Sequence, residues 1–183
     1  MRLPVSFAAA AGVAAMLTLV PATTTLADDK AMIDNNTQRA LTWIRASGGD
    51  AAQMLEKAAG VLVFPDIVEM GFGVGGEFGE GSLLVDGEPV DYYATAGKTF
   101  GMGEEADYKA EVIFFMTEEA LEEFRRTRSF KVGVHADVPV MTSTRRDSKQ
   151  LDKSAPRVGM IFSEDGVASH LELHGDRITR IIR

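Results

Sequence analysis

The 183-residue chain contains no cysteine. That excludes disulfides, a thiol nucleophile, thiolate metal sites and lipid attachment at an N-terminal cysteine. Positive charge is in deficit: 19 lysines and arginines stand against 27 acidic residues, a formal net charge of −8. A net acidic chain is a poor partner for nucleic acid, whose binding rests on neutralising phosphates. Beyond residue 27 no stretch is long and apolar enough to cross a bilayer, which takes about 20 residues. No Gly-Lys-Ser/Thr is present, so a P-loop is excluded. No G-x-S-x-G is present either, and no Ser/His/Asp spacing argues for a triad. There is no long internal repeat and no low-complexity linker.

What is present suits a single globular domain. Hydrophobic residues make up 45% and charged residues 25%, ordinary values that permit a sizeable core at this length. Residues 1–27 read as a cleavable secretory signal rather than part of the fold. Arg2 supplies the positive start, Val5 to Val20 is apolar and alanine-rich, Pro21 breaks the run, and Thr25-Leu26-Ala27 offers small residues for cleavage. The expected destination is periplasmic or secreted. Arg2 is the one charged residue in that segment, so its removal leaves the remainder slightly more acidic.

The expected domain covers residues 28–183, helical over 28–60 and sheet-forming over 61–183. Ile33, Thr37, Ala40, Leu41 and Ile44 recur at helical spacing and predict a helix from Asp28 to Ala46. Asp50 with Gln53 resembles a capping box for a second helix through Met54 and Leu55, with Gly60 just past its end. The period then changes to two. Strands are expected over 61–64, ended by Pro65, then over 71–78 and 81–85 with a glycine bend between them. Asp86-Gly87 predicts a hairpin turn. Further strands follow over 90–95 and 109–116, with a glycine-rich turn and short strand over 97–103. Thr117 caps an inserted helix whose first-turn glutamates and last-turn arginines complement the macrodipole. Clean alternation from Lys131 to Val140 predicts a half-buried strand, with Pro139 marking an edge. Residues 141–155 read as a polar connection. Strands are expected over 158–163, 167–173 and 177–182, with turns at Asp165-Gly166 and His174-Gly175-Asp176. The fold class is therefore α+β: N-terminal helices packed on a curved, mostly antiparallel, barrel-like β-sheet with one inserted helix.

The densest feature is glycine. Gly71, Gly73, Gly75, Gly76, Gly79 and Gly81 fall within eleven residues. Gly71, Gly73 and Gly76 satisfy G-x-G-x-x-G, but a strand follows where a dinucleotide site needs a helix N-terminus, and Glu77 and Glu80 would repel a pyrophosphate. The glycines read instead as a structural motif that lets a strand bend or close around a neighbour. Gly73 and Gly76 are the expected hinge.

Chemistry-bearing groups are sparse. His170, Glu172 and His174 share one face of a predicted strand, but the outer pair would lie about 13 Å apart, too far to chelate one ion. Glu104, Glu105 and Asp107 cluster without EF-hand spacing. No catalytic residue, metal site or cofactor is assigned. Trp43 and the tyrosines read as core or rim. Two basic groups remain as candidates for anionic lipid headgroups: Arg125, Arg126, Arg128 and Lys131 around a helix end, and Arg145, Arg146 and Lys149 in the polar connection, with Lys153 and Arg157 nearby. Ordinary solvated or paired charge is the competing reading of both.

The run Ala59-Gly60-Val61-Leu62-Val63-Phe64-Pro65, followed by the glycine stretch 71–81, resembles the opening of the SYLF domain. Tyr92-Tyr93-Ala94-Thr95-Ala96 and the segment 112–121 are similar to its later parts, and Gly166 through Ile178 matches more loosely. The resemblance implies lipid binding. Eukaryotic SYLF proteins bind phosphoinositides and some bundle actin, whereas bacterial relatives are exported single-domain proteins described as lipid-binding. The family pattern carries no catalytic residues. Its eukaryotic phosphoinositide contacts lie largely in a basic N-terminal segment, where this chain has Asp28-Asp29-Lys30. The expected function is thus an exported, non-enzymatic module for a phospholipid or phosphoinositide-like lipid at an anionic membrane surface. One alternative is an envelope structural or stress-related module with a protein partner. Another is a metal-dependent hydrolase built on His170, Glu172 and His174.

Overall fold

The computed structural model describes residues 29–72, 74–100, 107–141, 154–163, 166–167 and 175–183. The expected signal segment, Gly73, Glu104, Glu105, Arg145, Arg146, Lys149, Lys153, the strand over 167–173 in all but its first residue, and the trio His170, Glu172 and His174 lie outside the described residues.

Helix α1 spans Lys30–Ser47 and α2 spans Gly49–Lys57. Asp29 caps α1, its carboxylate accepting from the Met32 amide at 2.8 Å, which satisfies one of the helix's unpaired first-turn donors. The buried face of α1 is Ile33, Thr37, Ala40, Leu41 and Ile44, as the spacing predicts. The capping box expected for α2 is absent. Gly48, at φ 65°, occupies the N-cap without a side-chain bond, and Asp50 falls inside the first turn. Gly60 opens the first strand rather than closing the helix.

Among the described residues, nine strands form one mixed sheet that curls into a half-barrel: β1 Gly60–Phe72, β2 Val74–Val85, β3 Glu88–Phe100, β4 Asp107–Phe115, β5 Ser129–Lys131, β6 Val140–Met141, β7 Arg157–Ser163, β8 Gly166–Val167 and β9 Arg177–Ile181. The order is β5-β9-β3-β2-β1-β4-β7-β6, with β8 added to β7. All pairings are antiparallel except β6 with β7. β2 and β3 are joined at Asp86 (φ 53°) and Gly87 (φ 83°), the two positive φ values of a type I′ turn.

Three strand expectations are corrected. Pro65 does not end β1. The ladder shifts register there on both sides, between Val63 and Asp66 toward β2 and between Phe64 and Ile67 toward β4. A bulge absorbs the missing N–H. The glycine run is not two strands with a bend at 79–80. β1 and β2 pair down to Phe72 and Val74, and β2 continues unbroken to Val85. The single strand expected over 131–140 does not form either, and only its end residues lie in strands, Lys131 in β5 and Val140 in β6. Gly133, at φ 76°, turns the chain, and the Gly133 amide donates to the Ala136 carbonyl at 2.9 Å. Val132 and Val138 still reach the core, while Val134 is 67% exposed.

The sheet carries two cores. On its outer face, Val61, Val63, Leu84, Val112, Phe114, Val158 and Met160 meet α1 and α2. Trp43 stacks on Phe162 at 4.7 Å, and the Thr37 and Ser82 hydroxyls share a buried hydrogen bond of 3.0 Å. On the inner face, Leu62, Phe64, Ile67, Leu83, Tyr93, Ile113 and Ile161 surround helix α3, Glu118–Arg126. Phe124 of α3 lies 4.9 Å from the rings of both Tyr93 and Phe115. The segment after β5 then runs from one sheet edge to the other, where β6 pairs with β7, so residues 132–139 bridge the open side of the curl.

Candidate functional site

The inner face changes character along β3. Asp91, Tyr93, Thr95 and Gly97 alternate onto it, and on the paired strand Arg180 lies across from Tyr93 and Ile178 across from Thr95. Asp176 precedes Arg177, which pairs with Ala96. The middle of this ladder is apolar core. Its two ends are charged, about 20 Å apart at strand rise.

At the Asp91 end lies an open groove of about 700 Å³ lined by Arg125, Arg128, Arg180 and Arg183, with the apolar residues Val90, Ile181 and Ile182 beside them. Asp91 is buried and holds two of the guanidiniums, Arg125 through Nε at 3.2 Å and Arg180 through Nη2. Arg183 grips the Glu80 carboxylate, its Nε donating to Oε2 at 3.0 Å. One aspartate shared by two arginines leaves positive charge in excess. Arg128 adds to it, being exposed with no ion pair among the described residues. Ile182 is 95% and Val90 42% exposed, so apolar surface borders the cationic one.

Only part of the basic group named from sequence gathers here. Arg125 and Arg128 line the groove. Arg126 instead pairs with Glu122 on the outer face of α3. Lys131 lies in β5, outside the groove lining. Arg157 is buried and paired with Glu123, with a second contact of 3.3 Å to the Ala120 carbonyl, which removes it from any headgroup surface. Arg180 and Arg183 were not singled out in the sequence. Their signal is the alternation Arg177-Ile178-Thr179-Arg180-Ile181, which puts Arg180 on the same face as the core residue Ile178.

At the other end the inner face carries a buried ionic cluster. Glu69 of β1 stands directly opposite Glu77 of β2, a like-charge pair that is unfavourable alone. Lys109 of β4 lies between them. Its Nζ is 2.8 Å from Glu69 Oε1, 2.6 Å from Glu77 Oε2 and 3.0 Å from Glu111 Oε1. All of these residues are at most 8% exposed, as is Asp176. Burial alone would lower the Lys109 pKa, but the Glu111, Glu69 and Glu77 carboxylates override it and hold the ammonium above the ordinary lysine range. Burial pushes Glu111 up to about 7, against the pull of Lys109. Burial, followed by the charges of Glu111 and Glu77, pushes Asp176 up to about 8. Oxygens of Glu77, Glu111 and Asp176 all lie within 4.8 Å of one another.

The glycine motif serves this geometry at some positions only. A Cβ on Gly79 would lie 2.7 Å from Ile67 Cγ1, and one on Gly81 2.7 Å from Phe64 Cδ1 while overlapping the Val63 carbonyl oxygen. Close approach of β2 to β1 therefore requires these two glycines. Gly76, an expected hinge, would meet nothing nearer than 3.7 Å. Gly71 and Gly75 face each other across the ladder.

No protein-family model and no curated protein matches this chain. Among the described residues no helix is long and apolar enough to cross a membrane.

Proposed function

We propose that this chain is an exported, non-enzymatic module of the SYLF type that binds anionic phospholipid headgroups at a membrane surface through the arginine groove. The observation that carries the reading is the juxtaposition of Arg125, Arg128, Arg180 and Arg183 with exposed Val90 and Ile182. Guanidiniums recognise phosphate oxygens in bidentate fashion. Apolar side chains at the rim suit the acyl boundary just beneath a headgroup. The groove's local positive charge supports binding to an anionic surface despite the acidity of the whole chain. The sequence resemblance and the signal-like residues 1–27 support the same reading.

The test is co-sedimentation of the purified chain with vesicles of phosphatidylcholine alone or mixed with phosphatidylglycerol or a phosphoinositide, across a salt series. Binding that needs the anionic lipid and weakens with salt is expected. Arg128→Ala removes one charge that is unpaired among the described residues and should weaken binding about fivefold, from roughly 1 kcal/mol per basic residue near the surface. Arg126→Ala, outside the groove, should not. Absence of binding at low salt overturns the reading. A stable protein partner recovered from the envelope fraction, with no lipid affinity, would replace it with the interaction module.

A further inference from the structure

The cluster at the far end of the half-barrel has more acidic groups than its one lysine can pair. Four carboxylates, Glu69, Glu77, Glu111 and Asp176, face one ammonium. Lys109 sits toward Glu69, Glu77 and Glu111, and Asp176 is not among its ion pairs. Asp176 is 3% exposed and shares a side-chain hydrogen bond with Glu77, while its Oδ2 has no hydrogen-bond partner among the described residues. Glu111 Oε1 has the Lys109 ammonium at 3.0 Å as its partner. Thr95, 1% exposed, has a hydroxyl that also lacks a partner. It shares the inner face with Gly97, next to which the Glu77 and Asp176 carboxylates converge. Buried polar atoms left unsatisfied are rare in folded proteins, and a bound ion is one partner that satisfies them.

We propose that Glu77, Glu111 and Asp176 bind a hard divalent cation of the calcium or manganese class. The donors are all oxygens, which select hard ions over copper or zinc. Their mutual reach of 4.8 Å matches oxygens on one ion at about 2.3–2.6 Å. Thr95 Oγ1 is a neutral oxygen on the same face. Lys109 pairs with Glu69 and shares Glu77 and Glu111 with the ion. The ion would tie β2 and β4 to the start of β9, elements that the sheet order holds apart. Its role is structural, and it stands whether or not the groove binds lipid.

The full chain, stripped with chelator and re-dialysed, is titrated with Ca²⁺ and with Mn²⁺ by equilibrium dialysis at physiological ionic strength. One saturable ion per chain and a raised melting temperature are expected. Asp176→Asn, a change of charge at constant size, should weaken binding about tenfold or more. Glu56→Gln, on the exposed side of α2, should leave it unchanged. Should Asp176→Asn not fold, hydrogen exchange of the wild-type chain decides: ion addition should slow amides around Glu77, Gly97 and Asp176. No saturable ion at millimolar concentrations of either metal overturns the proposal. So does binding undiminished in folded Asp176→Asn, or protection confined to other parts of the chain.

Discussion

Gly97 stands opposite Glu77 in the β2–β3 ladder, and a Cβ on Gly97 would overlap the carboxylate oxygens of both Glu77 and Asp176. The glycine leaves the space into which the two acids converge. Its φ is not in the left-handed region, so close approach and not backbone freedom is the requirement. Gly97→Ala should lower stability by about 1–3 kcal/mol through overpacking. Gly76→Ala, with open space around it, should stay within about 0.5 kcal/mol of the parent. Urea unfolding of both variants measures the difference. Equal stability of the two would show that Glu77 and Asp176 yield freely.

Stability of the metal-free chain should fall as pH rises. Glu111 and Asp176 are raised in the folded state to about 7 and about 8, above the values carboxyls have in an unfolded chain. Between about pH 4 and pH 8 the folded state therefore binds more protons than the unfolded one, and stability declines with pH. The contribution is complete below the unfolded values and gone once pH passes the folded ones. Each retained proton gives a slope of up to about 1.4 kcal/mol per pH unit. Unfolding midpoints in urea with chelator, taken from pH 5 to pH 8.5, should decrease. In Asp176→Asn the decrease should flatten. A midpoint rising across that range would contradict the raised values.

Lys109 should be among the costliest residues to remove. It is the shared partner of three buried carboxylates, and Lys109→Met leaves them facing one another. Breaking a buried ion pair by deleting one partner costs about 3–5 kcal/mol. Arg126→Met, which breaks the exposed pair with Glu122, should cost no more than about 0.5 kcal/mol. Chemical denaturation of the two variants separates a structural cation from a surface one.

The elements that local rules govern were legible. The period of 3.6 placed the buried face of α1, Thr117 capped α3 as expected, and Asp86-Gly87 made its turn. The curved antiparallel sheet with an inserted helix followed from alternation and turn chemistry. The long-range arrangements were not legible. Glu69, Glu77, Lys109, Glu111 and Asp176 come from three strands and a strand entry spread over more than a hundred positions, and only register brings them together. A local sign existed: Lys109 and Glu111 occupy the same alternating face as Ile113 and Phe115, so charge was headed inward. The alternation over 131–140 misled because Gly133 turns the chain where side-chain pattern alone reads a strand. The basic residues near α3 were visible as a cluster, but their placement on the helix or in the connection after it decides which reach the groove. Arg125 and Arg128 do, and Arg126 does not.

Asp91 offers the sharpest separation of charge from folding at the groove. It is the buried acceptor for both Arg125 and Arg180. Asp91→Asn keeps the size and one carbonyl oxygen but removes the charge. The buried hydrogen bonds weaken, and stability should fall by about 1–3 kcal/mol. The positive charge facing solvent in the groove rises at the same time. Vesicle binding at low salt should therefore strengthen, with a steeper salt dependence, because the guanidiniums are no longer neutralised from within. Arg128→Glu should shift binding the opposite way with little effect on stability, since Arg128 is exposed and unpaired among the described residues. Co-sedimentation and thermal melts run together on both variants distinguish the two effects. If both lower lipid binding, and the loss tracks their melting temperatures, binding follows the folded fraction and the groove's charge does not govern it.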